Sequence, residues 1–297
     1  MRYKLLSAFI IAIFVFTAGC SSQNTATDQK EESMISETAE NQSEMAAESA
    51  SEESEENQAY DTLFLENFSE ALQARWEGDN NNETELSFEE ALEDYKSLVD
   101  KELNIFVDCQ DKKFEDPQLQ EYAIAYMNGL HKQEELIADA MEGNIPEETF
   151  YEEWGTSFLK RAKQICAVYD NYDLKIDSKY MLQINSLHNV VYIDEYGADV
   201  FWDMLNNTSD ENWEFITEDD GKELIKVHCV NQSKYEFKDL PIYCVVYDTK
   251  GTDDNSDDDE VETIEYVIGD WKPGEEVIMT FKRTTDTGEN DVVALYN

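Results

Sequence analysis

The stretch "KVHCVNQSKYEFKDLPIYCVVYDTKG", Lys226 to Gly251, decides how the second half of this chain folds. Apolar and polar residues alternate on both sides of its polar middle, the period of two that a half-buried strand shows. The alternation places one strand over 223–230 and another over 241–247, with "DTKG" as the turn that follows. Cys229 lies in phase with Val227, and Cys244 with Ile242 and Val246, so each thiol points inward. The two either meet as a disulfide or pack as free thiols.

The same period extends in both directions. After "NNTSDEN" the residues 213–217 alternate, and "EDDG" turns the chain into the first strand of the quoted stretch. Further strands are expected over 262–268, 277–284 and 292–296, with "WKPGEE" and "TDTG" as turns. Roughly six short strands separated by turn clusters predict a small antiparallel β-sandwich, here given the bounds 210–297. No strand is followed by a crossover helix, which argues against a doubly wound nucleotide-binding fold.

The quoted stretch together with "WKPGEEVIMTF" is similar to the FxLYD-type domains of bacterial envelope proteins. The shared pattern is a strand ending in Asn and a small polar residue, a strand ending in Tyr-Asp with a Gly turn, and a Pro-Gly-Glu turn. Asn231, Tyr247, Asp248, Gly251, Pro273 and Gly274 match it; Cys244 and Val246 stand where the pattern has Phe and Leu, and "TDDNSDDDEVE" lengthens a loop. "FLENFSEALQARWE" and "YEEWGTSFLKRAKQI" resemble the helical part often joined to such a domain in lipoproteins of Gram-positive bacteria. The resemblance implies an immunoglobulin-like sandwich in an envelope-associated protein, and it brings no catalytic residues.

Upstream the period changes to that of helices, over a region given the bounds 60–207. Tyr60, Leu63, Phe64, Phe68, Ala71, Leu72 and Trp76 form one amphipathic stripe, and Phe88, Leu92, Tyr95, Val99 and Leu103 a second. Asp116 as N-cap, Pro117 in the first turn and Gly143 as terminator bound a third helix. A fourth opens at Pro146 and carries Phe150, Trp154, Phe158, Ile165 and Tyr169. A fifth is expected from Ser178, capped by Asp177, towards Leu205, with Gly197 as its weak point. Short connections predict an antiparallel helical bundle. The class is therefore α+β: an amino-terminal bundle, then a small antiparallel sandwich.

The amino terminus reads as an address. Arg2 and Lys4 precede an apolar run to Phe16, then Thr17, Ala18 and Gly19, the layout of a secretory signal over 1–19. The run is shorter than the roughly 20 apolar residues that span a bilayer. With Cys20 directly after Ala18 and Gly19, the segment resembles a bacterial lipoprotein signal, although Thr17 replaces the usual Leu. The resemblance implies a diacylglycerol on the Cys20 thiol and a protein held at the cell membrane by lipid, on its extracytoplasmic face. Two or more acyl chains anchor durably where one does not. Residues 21–59 are rich in Glu, Ser, Gln and Asn, with Lys30 as the sole cation and no aromatic residue. Such a segment predicts a disordered acidic tether with a reach of roughly 35 Å.

A net charge of -46 excludes nucleic acid as a partner and favours cations or basic proteins, though a surface of one sign also serves solubility. Asp79, Asn81, Glu83, Glu85, Ser87 and Glu90 imitate the spacing of an EF-hand calcium loop. Thr84 stands where the sharp turn wants Gly. The competing reading, a capping box of Ser87 with Glu90, is preferred because acidic chains generate such frames by chance. The acidic insert of residues 253–262 reads as a solvated loop. His131, His188 and His228 show no metal-ligand spacing, and no catalytic triad, P-loop or dinucleotide pattern appears. The expected function is a non-enzymatic, membrane-anchored lipoprotein that binds an unidentified protein partner. The alternative is a surface protein that captures a ligand or calcium; no other cofactor is expected.

Overall fold

The computed structural model describes residues 47–78, 86–106, 113–206, 212–218, 222–248, 259–285 and 291–296. Among the described residues six α-helices precede six β-strands, so the chain is α+β. The helices are α1 (Ala47–Gly78), α2 (Phe88–Phe106), α3 (Pro117–Met141), α4 (Glu147–Asn171), α5 (Met181–Tyr196) and α6 (Ala198–Asn206). The strands are β1 (Trp213–Thr217), β2 (Glu223–Val230), β3 (Phe237–Asp248), β4 (Asp259–Trp271), β5 (Glu276–Lys282) and β6 (Asp291–Tyr296). None of the described helices is long and apolar enough to cross a membrane.

Two compact units divide the chain, Met1–Ser157 and Phe158–Asn297. The division falls within α4, whereas the periodicity places the domain boundary after residue 207. The difference has a physical cause: α5 and α6 are core elements of the strand-bearing unit. Ile193, Phe201, Met204 and Leu205 are buried in one cluster with Ile225, Ile242, Trp271 and Phe281 from the strands.

In the first unit α1 packs on α2 and α2 on α3. The stripe of α1 buries Phe64, Phe68, Ala71 and Leu72 almost completely. Each such phenylalanine contributes roughly 2–3 kcal/mol of transfer free energy. Phe68 meets Tyr126 of α3 edge to face at 4.6 Å, and Tyr95 of α2 stacks on Trp154 at 4.7 Å. The ends of α3 lie where its punctuation puts them. The Asp116 carboxylate accepts from the amides of Gln118 and Leu119, and Gly143 takes φ +72°, which a side chain would resist.

Helix α1 begins well before the stripe that reveals it. Its backbone is helical from Ala47, so residues 47–59 of the expected tether are helix; residues 20–46 lie outside the described residues. That segment is rich in Glu and Ala, which lose little or no side-chain freedom in a helix. The expected fifth helix is instead three pieces. A 3-10 turn (Ser178–Tyr180) is capped by the Asp177 carboxylate on the Lys179 amide, and Gly197 at φ +97° separates α5 from α6.

The strands form two antiparallel sheets, β1-β2-β5 and β4-β3-β6. Val227 and Cys229 of β2, Ile242 and Cys244 of β3, Met279 and Phe281 of β5 and Leu295 of β6 point into one shared core. The bridge considered between Cys229 and Cys244 is not formed; both are buried free thiols. Their strands belong to different sheets, and the Cys229 thiol sits 3.5 Å from the Met204 carbonyl of α6 as a donor. Asn189 of α5 pairs with both the amide and the carbonyl of Lys238, and Asn206 of α6 does the same for Leu295. Each side-chain amide thereby imitates one more peptide at a sheet position.

Candidate functional site

The turn that carries most of the envelope-domain resemblance is closed by Asn231. Its Nδ2 donates to the carbonyls of Tyr235 (2.8 Å) and Trp271 (2.9 Å), and its Oδ1 accepts from the amide and hydroxyl of Ser233. Its backbone amide donates to the Glu275 carbonyl, and its carbonyl accepts from the Gly274 amide, where Gly274 holds φ +77°. Asn231, Pro273 and Gly274, far apart in sequence, thus lie at one junction between two loops. Asn231 is completely buried with its side-chain polar atoms satisfied, while Pro273 and Gly274 lie exposed beside it, so Asn231 holds the fold at this turn.

A second buried polar group ties the two sheets together. Arg283, just after β5, reaches Glu223 of β2 at 3.5 Å, and its Nε lies 3.9 Å from Glu262 of β4. Glu262 also accepts from the amides and hydroxyls of Thr284 and Thr285. Burial pushes its carboxyl up, but the Thr284 and Thr285 hydrogen bonds outweigh burial and hold it below the usual range.

Two surfaces of the second unit face outward with unusual chemistry. One is the outer face of the sheet β4-β3-β6. Register places Tyr243 between Glu265 and Tyr296, and Val245 between Thr263 and Ala294. Val267 of β4 and Val292 of β6, at 50% and 51% exposure, extend this apolar and aromatic face. Burial and then Glu265 push the Tyr243 phenol up to about 12, so it stays neutral and its hydroxyl donates to Glu265 at 3.4 Å.

The other surface is a cleft of about 380 Å³ beside β2, near the lower end of the size of small-molecule sites. Val200 and Met204 of α6 and Val230 of β2 supply apolar wall; Asp203, His228 and Glu276 supply polar groups. His228 points outward from β2. Its Nδ1 lies 3.3 Å from Glu276 of β5, and its Nε2 3.7 Å from Glu214 of β1. The alternation of β2 predicts that His228 faces out, but the carboxylates on either side come from strands that sequence does not pair.

The other expected residues are accounted for as follows. Cys20, Asp79, Asn81, Glu83 and Glu85 lie outside the described residues, as does Cys109. Glu90 forms the capping box: its carboxylate accepts from the Ser87 amide at 2.9 Å and hydroxyl at 2.8 Å, while the Ser87 hydroxyl accepts from the Glu90 amide. The Ser87 bonds hold the Glu90 carboxyl below its usual range. Among the described residues no three His, Cys, Asp or Glu side chains converge as a metal centre needs. His131 lies exposed beside Glu134, and His188 sits between the Ile184 carbonyl and Asp170, with Tyr169 and Tyr192 against its ring. Burial, the largest cause in each, pushes the thiols of Cys166, Cys229 and Cys244 up to about 12, which leaves them protonated and poorly nucleophilic.

Comparison with family models, curated proteins and solved structures finds no match to this chain.

Proposed function

We propose that this chain is a lipid-anchored envelope protein that works by holding another protein, without chemistry of its own. The observation that carries the reading is the outer face of β4-β3-β6, where half-exposed Val267 and Val292 flank the Tyr243 and Tyr296 pair. Exposed aliphatic residues beside tyrosines are the composition of a protein-binding surface rather than of a solvated sheet. Arg283 and Glu262 link the two sheets, and the three buried thiols of Cys166, Cys229 and Cys244 are held protonated by their surroundings.

The anchor follows from the signal layout of residues 1–19 and the position of Cys20. An immunoglobulin-like reading of the carboxyl-terminal strands is supported by two antiparallel sheets around one core, and by the bond between Asn231 and Gly274 of the envelope-domain pattern.

The test is cross-linking in intact cells followed by capture of the chain. The wild type should retain a defined protein that Val267→Lys with Val292→Lys loses. Equal capture by both, at equal melting temperature, would remove this face from the proposal.

A further inference from the structure

We propose that the outer face of β4-β3-β6 takes a basic, extended segment of its partner, one that carries arginines four residues apart with an aliphatic residue midway. This rests on the reading of that face as a protein-binding surface and gives the partner its chemistry.

Register sets the outward side chains of the sheet in rows. Glu265 stands beside Tyr243, and Glu260 beside Tyr247, with Thr263, Val245 and Ala294 in the row between. Both carboxylates are exposed, and each takes its hydrogen bond from a neutral donor. Glu265 accepts from the Tyr243 phenol at 3.4 Å, and Glu260 from the Thr263 hydroxyl at 2.7 Å. Neither forms an ion pair with a lysine, arginine or histidine among the described residues, and none of the described positions of this face is a lysine or arginine. A carboxylate has about four lone-pair sites, so each keeps its charge and spare acceptor capacity for a cation. The face is therefore apolar, aromatic and negative, and its complement is apolar and positive.

The neighbours of the two carboxylates select arginine. Its planar fork pairs with a carboxylate while its flat face stacks on an aromatic ring, and here each acid adjoins a tyrosine. The spacing selects an extended partner. Tyr243 and Tyr247 stand four residues apart on β3, about 14 Å at the rise of a strand. A segment laid along β3 turns residues i, i+2 and i+4 to the same side. Arginines at its two ends then meet the two acid and tyrosine pairs, and the residue midway rests on Val245 and Ala294. An anionic membrane surface fits less well, because its headgroups would face carboxylates with no cation between them.

The experiment measures fluorescence anisotropy of a labelled, end-blocked peptide, Arg-Ser-Val-Ser-Arg, with the full-length chain held in an uncharged detergent. Saturable binding is expected. Arg-Val-Ser-Arg-Ser has the same composition and charge but turns its arginines to opposite sides of a strand, and it should bind about tenfold more weakly. Glu260→Gln with Glu265→Gln should weaken the first peptide as much, at unchanged melting temperature. Glu214→Gln with Glu276→Gln, an equal loss of charge on the other sheet, should leave its affinity unchanged. Equal binding of the two peptides, undiminished affinity in the Glu260 and Glu265 double variant, or no saturable binding at millimolar peptide would overturn the inference. If that result comes while Val267→Lys with Val292→Lys still abolishes capture of the partner in cells, the face remains a binding surface for a partner of other chemistry. Capture undiminished in that valine variant removes both.

Discussion

The side-chain amide of Asn231 donates to the carbonyl of Trp271 at 2.9 Å, forty residues away in the chain and wholly buried. That bond joins the end of β2 to the end of β4, and Trp271 in turn donates from its indole to the Glu275 carbonyl. Asn231→Ala would remove a donor from the carbonyls of Trp271 and Tyr235 and the acceptor of the Ser233 amide, at a cost of about 3 kcal/mol. Asn231→Asp keeps the acceptor for Ser233 but cannot donate to the two carbonyls, so it should destabilise at least as much. Urea unfolding of the two variants measures both; an Asp variant as stable as wild type would show that the donor bonds contribute nothing.

The first unit has its own buried polar group. Arg75 of α1 donates to Glu102 of α2 at 2.5 Å, and Tyr126 of α3 donates to the other oxygen of Glu102. Glu102 is completely buried, so removing Arg75 takes an opposite charge away from a carboxylate held out of water. Arg75→Met is expected to cost roughly 3–5 kcal/mol, and Arg75→Met combined with Glu102→Leu markedly less than the single change. A double-mutant cycle in urea decides it, and additive losses would contradict the coupling.

Stability on the acid side should depend on Glu262. Its folded carboxyl lies below the usual value of 4.5, so its contribution is fully present above that value and is lost as pH falls through the lower folded one. At neutral pH Glu262→Gln should therefore lower stability by roughly 1–2 kcal/mol, from weakened bonds to Thr284, Thr285 and Arg283. Melting temperatures of variant and wild type should converge as pH falls from 4.5 through the lower folded value, beyond which wild type carries the neutral acid too. A constant difference down to acid pH would exclude the ionised clasp.

Thiol labelling separates packing from bridging. Cys166, Cys229 and Cys244 are buried and held protonated, so iodoacetamide at neutral pH should modify them only after unfolding. Mass spectrometry of the unfolded, unreduced protein should find Cys229 and Cys244 alkylated and not joined.

Anchoring is tested at Cys20. Cys20→Ser should abolish lipid labelling and release the chain from membranes; retained membrane association in that variant would refute the lipid anchor.

How far these features were legible depends on how local their causes are. The ends of α3 follow from Asp116, Pro117 and Gly143, because a cap and a terminator act within one turn. Strand positions from β1 to β6 follow from alternation, although β3 and β4 run longer than their clearest apolar cores. The Ser87 and Glu90 box is likewise three residues wide. Helix α1 extends to Ala47 without an apolar stripe, since periodicity reports a buried face and propensity alone leaves none. α5 reads as one more bundle helix, yet Ile193 and Asn189 face strands, because a helix stripe does not say what it will be buried against.

By itself, then, the sequence determined the α+β order, the caps, the strand phase and the inward thiols, all set by neighbours within a few residues. Only the tertiary structure decided that β1, β2 and β5 share one sheet and β3, β4 and β6 another. It alone put His228 between Glu214 and Glu276, brought Arg283 to two sheets at once, and placed the division of the units inside α4. Those outcomes arise from pairing and packing across long stretches of chain, where every acidic residue is locally equivalent and only a shared core selects which ones meet.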